Sequence, residues 1–330
     1  MDWTELPSLP GLAAAPMQQH PAYGRACALA GAGTAWLGLG PASRPRATAQ
    51  VLFRRWPLIG RVALVPRGPV WAEPPCPEEA AAALAGLAAW LRRDCRAAVL
   101  SPDCLGGADP AASAGLLPLM TGGTQARLRL DGSPAERMAR MHGKWRNRLR
   151  RAQEAGLELS QGPLPADPGH WLLRREAEQA RRRRYRHLPA GFLQAWRLEN
   201  GPRAARVFAA SLGGVPVAGM LFLVHGCTAT YHLGWSGSAG RATGAHALLL
   251  WEAAGWLARR GCRWAELGLL DTHRTPGLAR FKLGAGAEPV ALGSSWIDAP
   301  GSRACARFFG HGRPPGAAPK AAAMGPHHPA

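Results

Sequence analysis

The sequence predicts an α/β fold made of two successive sheet-and-helix units. Three observations carry that reading. The first half runs strand, strand, helix, strand. The second half runs three strands, a helix and a strand. The chain is 330 residues long and 47% apolar, enough for two real cores.

The elements follow in order. Ala35–Leu39, Gln50–Trp56 and Arg61–Val65 are short apolar runs between Gly and Pro and read as strands of one sheet. Val65–Trp71 is a turn entering another extended piece. Pro77–Cys95 reads as a helix: Pro77 opens it, Glu78 and Glu79 follow, an Ala/Leu face runs on, and Arg92 and Arg93 close it, an order that suits the helix dipole. Ala97–Leu100 is the next strand. Ser133-Pro134-Ala135-Glu136 is a capping box with Pro at the first helical position. It opens a helix over 133–155 with Met138, Met141, Trp145, Leu149 and Ala152 on one apolar face. Arg137, Arg140, Lys144, Arg148 and Arg151 form a basic row beside that face. Gly156 ends it.

A second unit begins near Leu157. Helices are expected over 168–187 and near Phe192–Glu199, then strands over Ala204–Ser211, Val215–Val224 and Thr228–Trp235, with Gly213-Gly214 as a hairpin turn. A helix over Ala242–Arg260 stops at Gly261. Strand Arg263–Leu270, a short helix over Gly277–Leu283 and a last strand near Pro289–Trp296 complete the unit. The expected organisation is therefore residues 1–156, residues 157–300, and a flexible Pro/Gly/Ala/His tail over 301–330.

Composition narrows the function classes. The formal charge is +19, which favours polyanionic partners: tRNA, nucleotide diphosphates or an anionic membrane surface. Seven cysteines, an odd number with no C-x-x-C spacing, argue for reduced thiols in the cytoplasm and against a disulfide scaffold or a zinc site. No signal peptide and no transmembrane run is visible in the sequence.

Lysine use is informative. Of 40 basic residues only Lys144, Lys282 and Lys320 are lysine. Where a generic positive charge is enough, this chain uses Arg, so Lys282 hints at a site that wants a compact ammonium. It lies in Gly277–Gly286, G-L-A-R-F-K-L-G-A-G.

Several strings together resemble the FemABX family of aminoacyl-tRNA-dependent peptidoglycan-bridge transferases and the GNAT-like acyltransferases around it. Met141–Gly156 is similar to the family's basic helix K-x-R-x-x-I-R-x-A-x-x-x-G. Val207–Gly219 resembles its strand pair ending in V-A-G. Ala242–Leu267 resembles its helix and strand ending at an acidic residue and Gly, here Glu266-Leu267-Gly268. Gly277–Gly286 is similar to G-L-x-x-F-K-x-x-F-G, with Ala285 where an aromatic is usual. The resemblance covers roughly 120–298, and 18–23 and 65–71 more loosely. It implies two GNAT-like domains, mixed sheets flanked by helices, facing across a cleft.

The resemblance also implies an activity: transfer of an aminoacyl group from aminoacyl-tRNA to an amine of a peptidoglycan precursor. It places Phe281 and Lys282 at the substrate channel. Such a transfer needs no enzyme nucleophile and no cofactor, because the donor ester, charged tRNA or acyl-coenzyme A, is already activated. The protein must position the reactants and place positive charge where the oxyanion develops, a role for Lys282. Lys144, Arg148 and Arg151 are candidates for the phosphates of a nucleotide- or lipid-linked muropeptide, or of a tRNA backbone. Tyr231, Trp235 and Asp271 sit near strand ends and are expected to line the cleft. Arg183 and Arg184 are candidate tRNA contacts, with Tyr185 beside them for stacking. His232 and His273 are nearby, and neither is assigned a catalytic role.

Arg241-Ala242-Thr243-Gly244-Ala245-His246 approaches the R-x-x-G-x-[GA] loop that holds coenzyme A pyrophosphate, with His246 where a small residue is needed. The loop keeps an acyl-coenzyme-A-dependent N-acyltransferase as the alternative, while His246 argues for the aminoacyl-tRNA reading over it. A non-catalytic basic RNA- or membrane-surface-binding protein is the third. The expected protein is a cytoplasmic monomer, working at the inner face of the membrane where its acceptor is lipid-linked.

Overall fold

A parallel strand pair bridged by a helix occurs once in each of two sheets, and this repeat organises the molecule. The computed structural model describes residues 2–9, 15–185 and 190–309. The first half contributes β1 (Trp3–Glu5), α1 (Pro21–Leu29), β2 (Gly33–Leu39), β3 (Ala47–Trp56), β4 (Gly60–Pro66), β5 (Val70–Trp71), α2 (Pro77–Leu91), β6 (Ala97–Ser101) and β7 (Leu117–Met120). Here β4 and β6 run parallel and α2 crosses between them.

Then follow β8 (Thr124–Arg129), α3 (Pro134–Ala139), α4 (Gly143–Gln153), β9 (Glu158–Pro163), α5 (Trp171–Arg183), α6 (Ala190–Asn200), β10 (Ala205–Leu212), β11 (Val215–His225), β12 (Thr228–Ser236), α7 (Ser238–Ala242), α8 (Ala245–Arg259), β13 (Trp264–Leu270), α9 (Pro276–Gly284), β14 (Glu288–Ala291), β15 (Ser295–Asp298) and α10 (Ser302–Phe309). In this half β12 and β13 are the parallel pair and α8 is the crossover. Because a crossover needs about a dozen residues, a 15-residue helix serves in each half.

The local signals act as their chemistry requires. At α2, Cys76 Sγ accepts from Glu79 N, Pro77 takes the first position, and Glu78 and Glu79 face the dipole. At α3 both halves of the capping box form: Ser133 Oγ accepts from Glu136 N at 3.2 Å and Glu136 accepts from Ser133 N at 2.6 Å.

Four expectations change. The single helix over 133–155 is two helices, broken at Arg140–His142. The break serves a tertiary contact: His142 N donates to Gly284 O at 3.0 Å. Gly286, at φ +89°, approaches so closely that a Cβ there would stand 2.9 Å from the Arg140 carbonyl oxygen. Only Lys144, Arg148 and Arg151 therefore share one helix, α4, with Arg137 and Arg140 outside it.

The expected last strand over 289–296 is also two strands, and they join different sheets. The first sheet has the order β1-β2-β3-β4-β6-β15-β7, with β5 on β3; the second has β14-β8-β13-β12-β11-β10-β9. The units thus exchange strands: β8, α3 and α4 build the second unit, and β15 returns to the first. A boundary at 156 would cut through the second sheet. Finally, 302–309 of the expected tail form α10, while 310–330 lie outside the described residues.

Three apolar clusters hold the layers. One packs α2 on the first sheet around Leu37, Leu84, Leu87 and Leu100. Another packs α4 and α8 on the second sheet around Trp145, Leu149, Phe222 and Leu257. The third joins the units: Tyr23 and Ala26 of α1 and Leu52 of β3 pack with Leu172, Trp196 and Leu221. Arg67, just past β4, adds a polar tie. It forks onto Asp103 with two bonds of 2.9 Å and gives a third, of 2.8 Å, to the buried Glu266 of β13. Burial alone would weaken its charge, but the two carboxylates hold its pKa above the usual arginine value. Among the described residues no helix is long and apolar enough to cross a membrane.

Candidate active site

The two parallel pairs differ in one respect. β4 and β6 stay in register over five positions, from Val62↔Ala97 to Pro66↔Ser101, the end of both strands. β12 and β13 pair over only three, Thr228↔Trp264 to Thr230↔Glu266, although both run further. Beyond Thr230 the pairing stops, leaving a wedge between the two strands. Two irregularities accompany the opening. A bulge at His232 on β12 sends Tyr231 toward α8, while Leu233 and Trp235 face the opposite layer. A second, at Leu267–Gly268 of β13, uses Gly268 at φ +80°.

α9 closes the wedge and brings Lys282 into it. Pro276 starts the helix, and Phe281 beside Lys282 anchors it against Trp145 of α4 (5.9 Å between ring centroids) and His246 of α8 (6.3 Å). Lys282, Phe281 and Tyr231 line one cleft with Met220, Leu250, Leu267 and Leu278. Lys282 is only 5% exposed, and its Nζ donates to the carbonyl of Leu269 at 2.7 Å. Burial lowers its pKa to about 8. At neutral pH it is still mainly protonated: a point charge with poor solvation, two of its three N–H groups outside that bond. Burial likewise pushes the Tyr231 phenol well above its usual value, with Tyr185 and Glu176 adding to the effect. The cleft is an apolar wedge holding one ammonium and one neutral hydroxyl.

Trp235 lies at the far end of β12, in a second cleft with Arg175, Glu178, Arg182, Ser236, Gly237, Ser238 and Arg241. The Arg175 guanidinium stands 5.5 Å over its ring. Arg175, Glu178 and Arg182 recur at helical spacing on α5, so periodicity within 171–183 was the signal that could have found this face; the density of the Arg run drew attention to Arg183 and Arg184 instead. Those two are exposed, at the end and C-cap of α5. Tyr185 is engaged: its hydroxyl donates to Glu176 at 2.9 Å and accepts from Gln179 at 3.0 Å.

Asp271 does not line either cleft. Its carboxylate caps the loop before α9, accepting from His273 N (3.0 Å) and Arg274 N (2.7 Å), and those amides hold its pKa below the usual carboxylate value. Lys144, Arg148 and Arg151 are exposed on α4. Arg148 runs over the start of α8, where a Cβ on Gly244 would lie 3.1 Å from its Cγ. The basic row thus borders the Arg241–His246 loop. The His246 ring is turned inward: Nε2 donates to the Trp235 carbonyl at 2.9 Å, and burial lowers its pKa. Sequence reasoning missed Arg67 and Asp103, which tie the wedge's base at Glu266 to the first unit. Among the described residues no group of three or more His, Cys, Asp or Glu is placed to hold a metal ion.

Residues 139–289 match the family model described as acetyltransferase (GNAT) domain. No curated protein matches the chain in sequence. Solved structures do match in fold. The crystal structure of FemX superposes with a TM-score of 0.68 at 13% identity, covering 85% of this chain and 93% of that one. A conserved protein of unknown function from Bacteroides thetaiotaomicron gives 0.53 at 14% identity, covering 84% and 89%. The C-terminal domain (DUF2156) of a protein assigned as a lysylphosphatidylglycerol synthetase from Agrobacterium fabrum gives 0.52 at 15%, covering 88% and 91%. The chain has the fold of FemX, two GNAT-like units, and its wedge lies within residues 139–289, the stretch that matches the acetyltransferase (GNAT) model.

Proposed function

We propose that the chain is an N-acyltransferase that moves an aminoacyl group from charged tRNA to an amine of a peptidoglycan precursor. The observation that carries this reading is the buried ammonium of Lys282 at the β12–β13 wedge. The donor ester carbonyl lies in the wedge, and the acceptor amine attacks its carbon. Charge gathers on the carbonyl oxygen beside Lys282, where low dielectric strengthens the attraction. The ester C–O bond breaks, and the proton shed by the amine ends on the departing ribose hydroxyl. Tyr231 donates to the same oxygen or orients the amine. Trp235 and the arginines beside it take the donor's phosphodiester end, and Arg183 and Arg184 meet the tRNA body.

Lys144, Arg148 and Arg151 hold the diphosphate of a nucleotide- or lipid-linked muropeptide. The protein acts as a monomer in the cytoplasm, at the inner membrane face when its acceptor is lipid-linked. The fold shared with a protein assigned as a lysylphosphatidylglycerol synthetase favours an aminoacyl donor.

Acyl-coenzyme A is the second donor reading, and the inward His246 ring favours it. A bulky side chain at this position would block the phosphate loop if it pointed outward; bound to the Trp235 carbonyl, the ring lies on the wedge side. The test is single-turnover transfer with charged tRNA or acetyl-coenzyme A as donor and a nucleotide-linked muropeptide as acceptor. Transfer from tRNA that Lys282→Ala abolishes supports the first reading. Transfer from acetyl-coenzyme A alone selects the second, and undiminished transfer by Lys282→Ala removes the role given to the ammonium.

A further inference from the structure

The turn between β3 and β4 carries a feature that acyl transfer does not use. Its tip reads Trp56-Pro57-Leu58-Ile59-Gly60, and every residue from Arg54 to Arg61 is exposed. Three of them are large and apolar: Trp56 is 40% exposed, Ile59 46% and Leu58 109%, so Leu58 stands wholly in water. Leu58 also adopts φ +66°, a left-handed backbone that a bulky residue rarely takes and that glycine or asparagine would fill without strain. An apolar side chain in full solvent on a strained backbone works against stability twice, with no contact in the fold to offset it.

Charge surrounds this tip one step back along the strands. Arg55 faces Arg61 across the hairpin, Arg54 precedes them, and the segment 54–61 holds no acid. Arg61 stacks its guanidinium 4.1 Å from the Phe53 ring, and its carbonyl accepts from Arg96 N at 2.8 Å. Arg92, Arg93 and Arg96 follow α2 at this end of the sheet, with Asp94 the one acid among them.

We infer that this hairpin inserts Trp56, Leu58 and Ile59 into the surface of an anionic lipid bilayer. Leu58 and Ile59 would enter the acyl boundary, Trp56 would sit at the headgroup level that its amphipathic ring prefers, and the arginines would meet lipid phosphates. A convex tip of three side chains offers far less than the roughly 800 Å² a stable protein partner covers. A fluid surface needs no matching pocket. The geometry also leaves the wedge free: Pro66 is six residues from Gly60, so the turn at Arg67 that ties onto Glu266 is about 20 Å from the tip. The inference does not depend on the acyl-transfer reading.

Cosedimentation of the full chain with vesicles of phosphatidylcholine, alone or with phosphatidylglycerol, tests it. The wild type is expected to pellet with the anionic vesicles and to be released by salt. Leu58→Glu should keep the wild-type melting temperature and weaken partition at least about tenfold. Leu58→Gly should raise the melting temperature, because it relieves the left-handed leucine, and still weaken partition roughly three- to tenfold. Arg54→Ala with Arg55→Ala should weaken binding most at low salt. Equal partition of Leu58→Glu and wild type would assign any attraction to the overall charge of +19 and overturn the inference. Failure of the wild type to bind anionic vesicles would also overturn it, as would a dimer, seen by sedimentation velocity, that Leu58→Glu dissolves.

Discussion

Replacing Lys282 by Met should stabilise the protein while destroying its activity. The side chain is 5% exposed and burial lowers its pKa from 10.5 to about 8. At roughly 1.4 kcal/mol per pH unit, that shift means the buried charge costs about 3 kcal/mol of folding stability. Below pH 8 both folded and unfolded chains carry the proton, so the whole cost is felt. Between pH 8 and 10.5 the unfolded chain keeps a proton that the folded one lacks, so stability rises with pH and the penalty fades. Met has a similar length and no charge, but it leaves the Leu269 carbonyl without its donor, a loss of about 1 kcal/mol. The net gain expected at pH 7 is about 2 kcal/mol, shrinking to nothing or reversing near pH 10.5. Denaturant titrations of both proteins at pH 7 and pH 10 measure it. A variant less stable than wild type at pH 7, or a difference that does not change with pH, would refute the reasoning.

Other outcomes follow from neighbouring contacts. Arg67→Met leaves Asp103 and the buried Glu266 without their shared cation and should lower stability by about 3 kcal/mol, read by chemical denaturation. Arg148→Ala, at an exposed position, should leave the melting temperature unchanged and weaken binding of a nucleotide-linked muropeptide, most strongly at low salt by calorimetry.

Much of this architecture was legible in the sequence because it rests on local rules. The Ser133–Glu136 box, the acid-first pattern of α2 and the apolar strand runs each state their structure within a few residues. The Phe281-Lys282 string was legible through resemblance, and the fold places both residues beside the unpaired ends of β12 and β13. What stayed hidden depends on distant partners. Nothing in Thr124–Arg129 or Ser295–Asp298 says which sheet will accept it, since a short strand's pairing is decided by the edge it meets. The break at Arg140–His142 is set by a bond to Gly284, far along the chain.

The Arg67–Glu266 tie joins residues 199 apart. Asp271 misled because a carboxylate near a strand end is as well suited to capping its own loop amides as to meeting a ligand, and here the amides are closer. The basic cleft of Arg175, Arg182 and Arg241 draws on two helices, so the periodicity of α5 displays only one wall of it.

The pH dependence of single-turnover transfer tests the central claim most directly. If Lys282 acts as a charge at the developing oxyanion, the rate should fall as pH rises through about 8, where its ammonium loses the proton, and any trace of transfer left in Lys282→Ala should lack that limb. A rising limb at the same pH that Lys282→Ala removes would make Lys282 a base instead, and a profile unchanged by Lys282→Ala would place the chemistry outside the wedge.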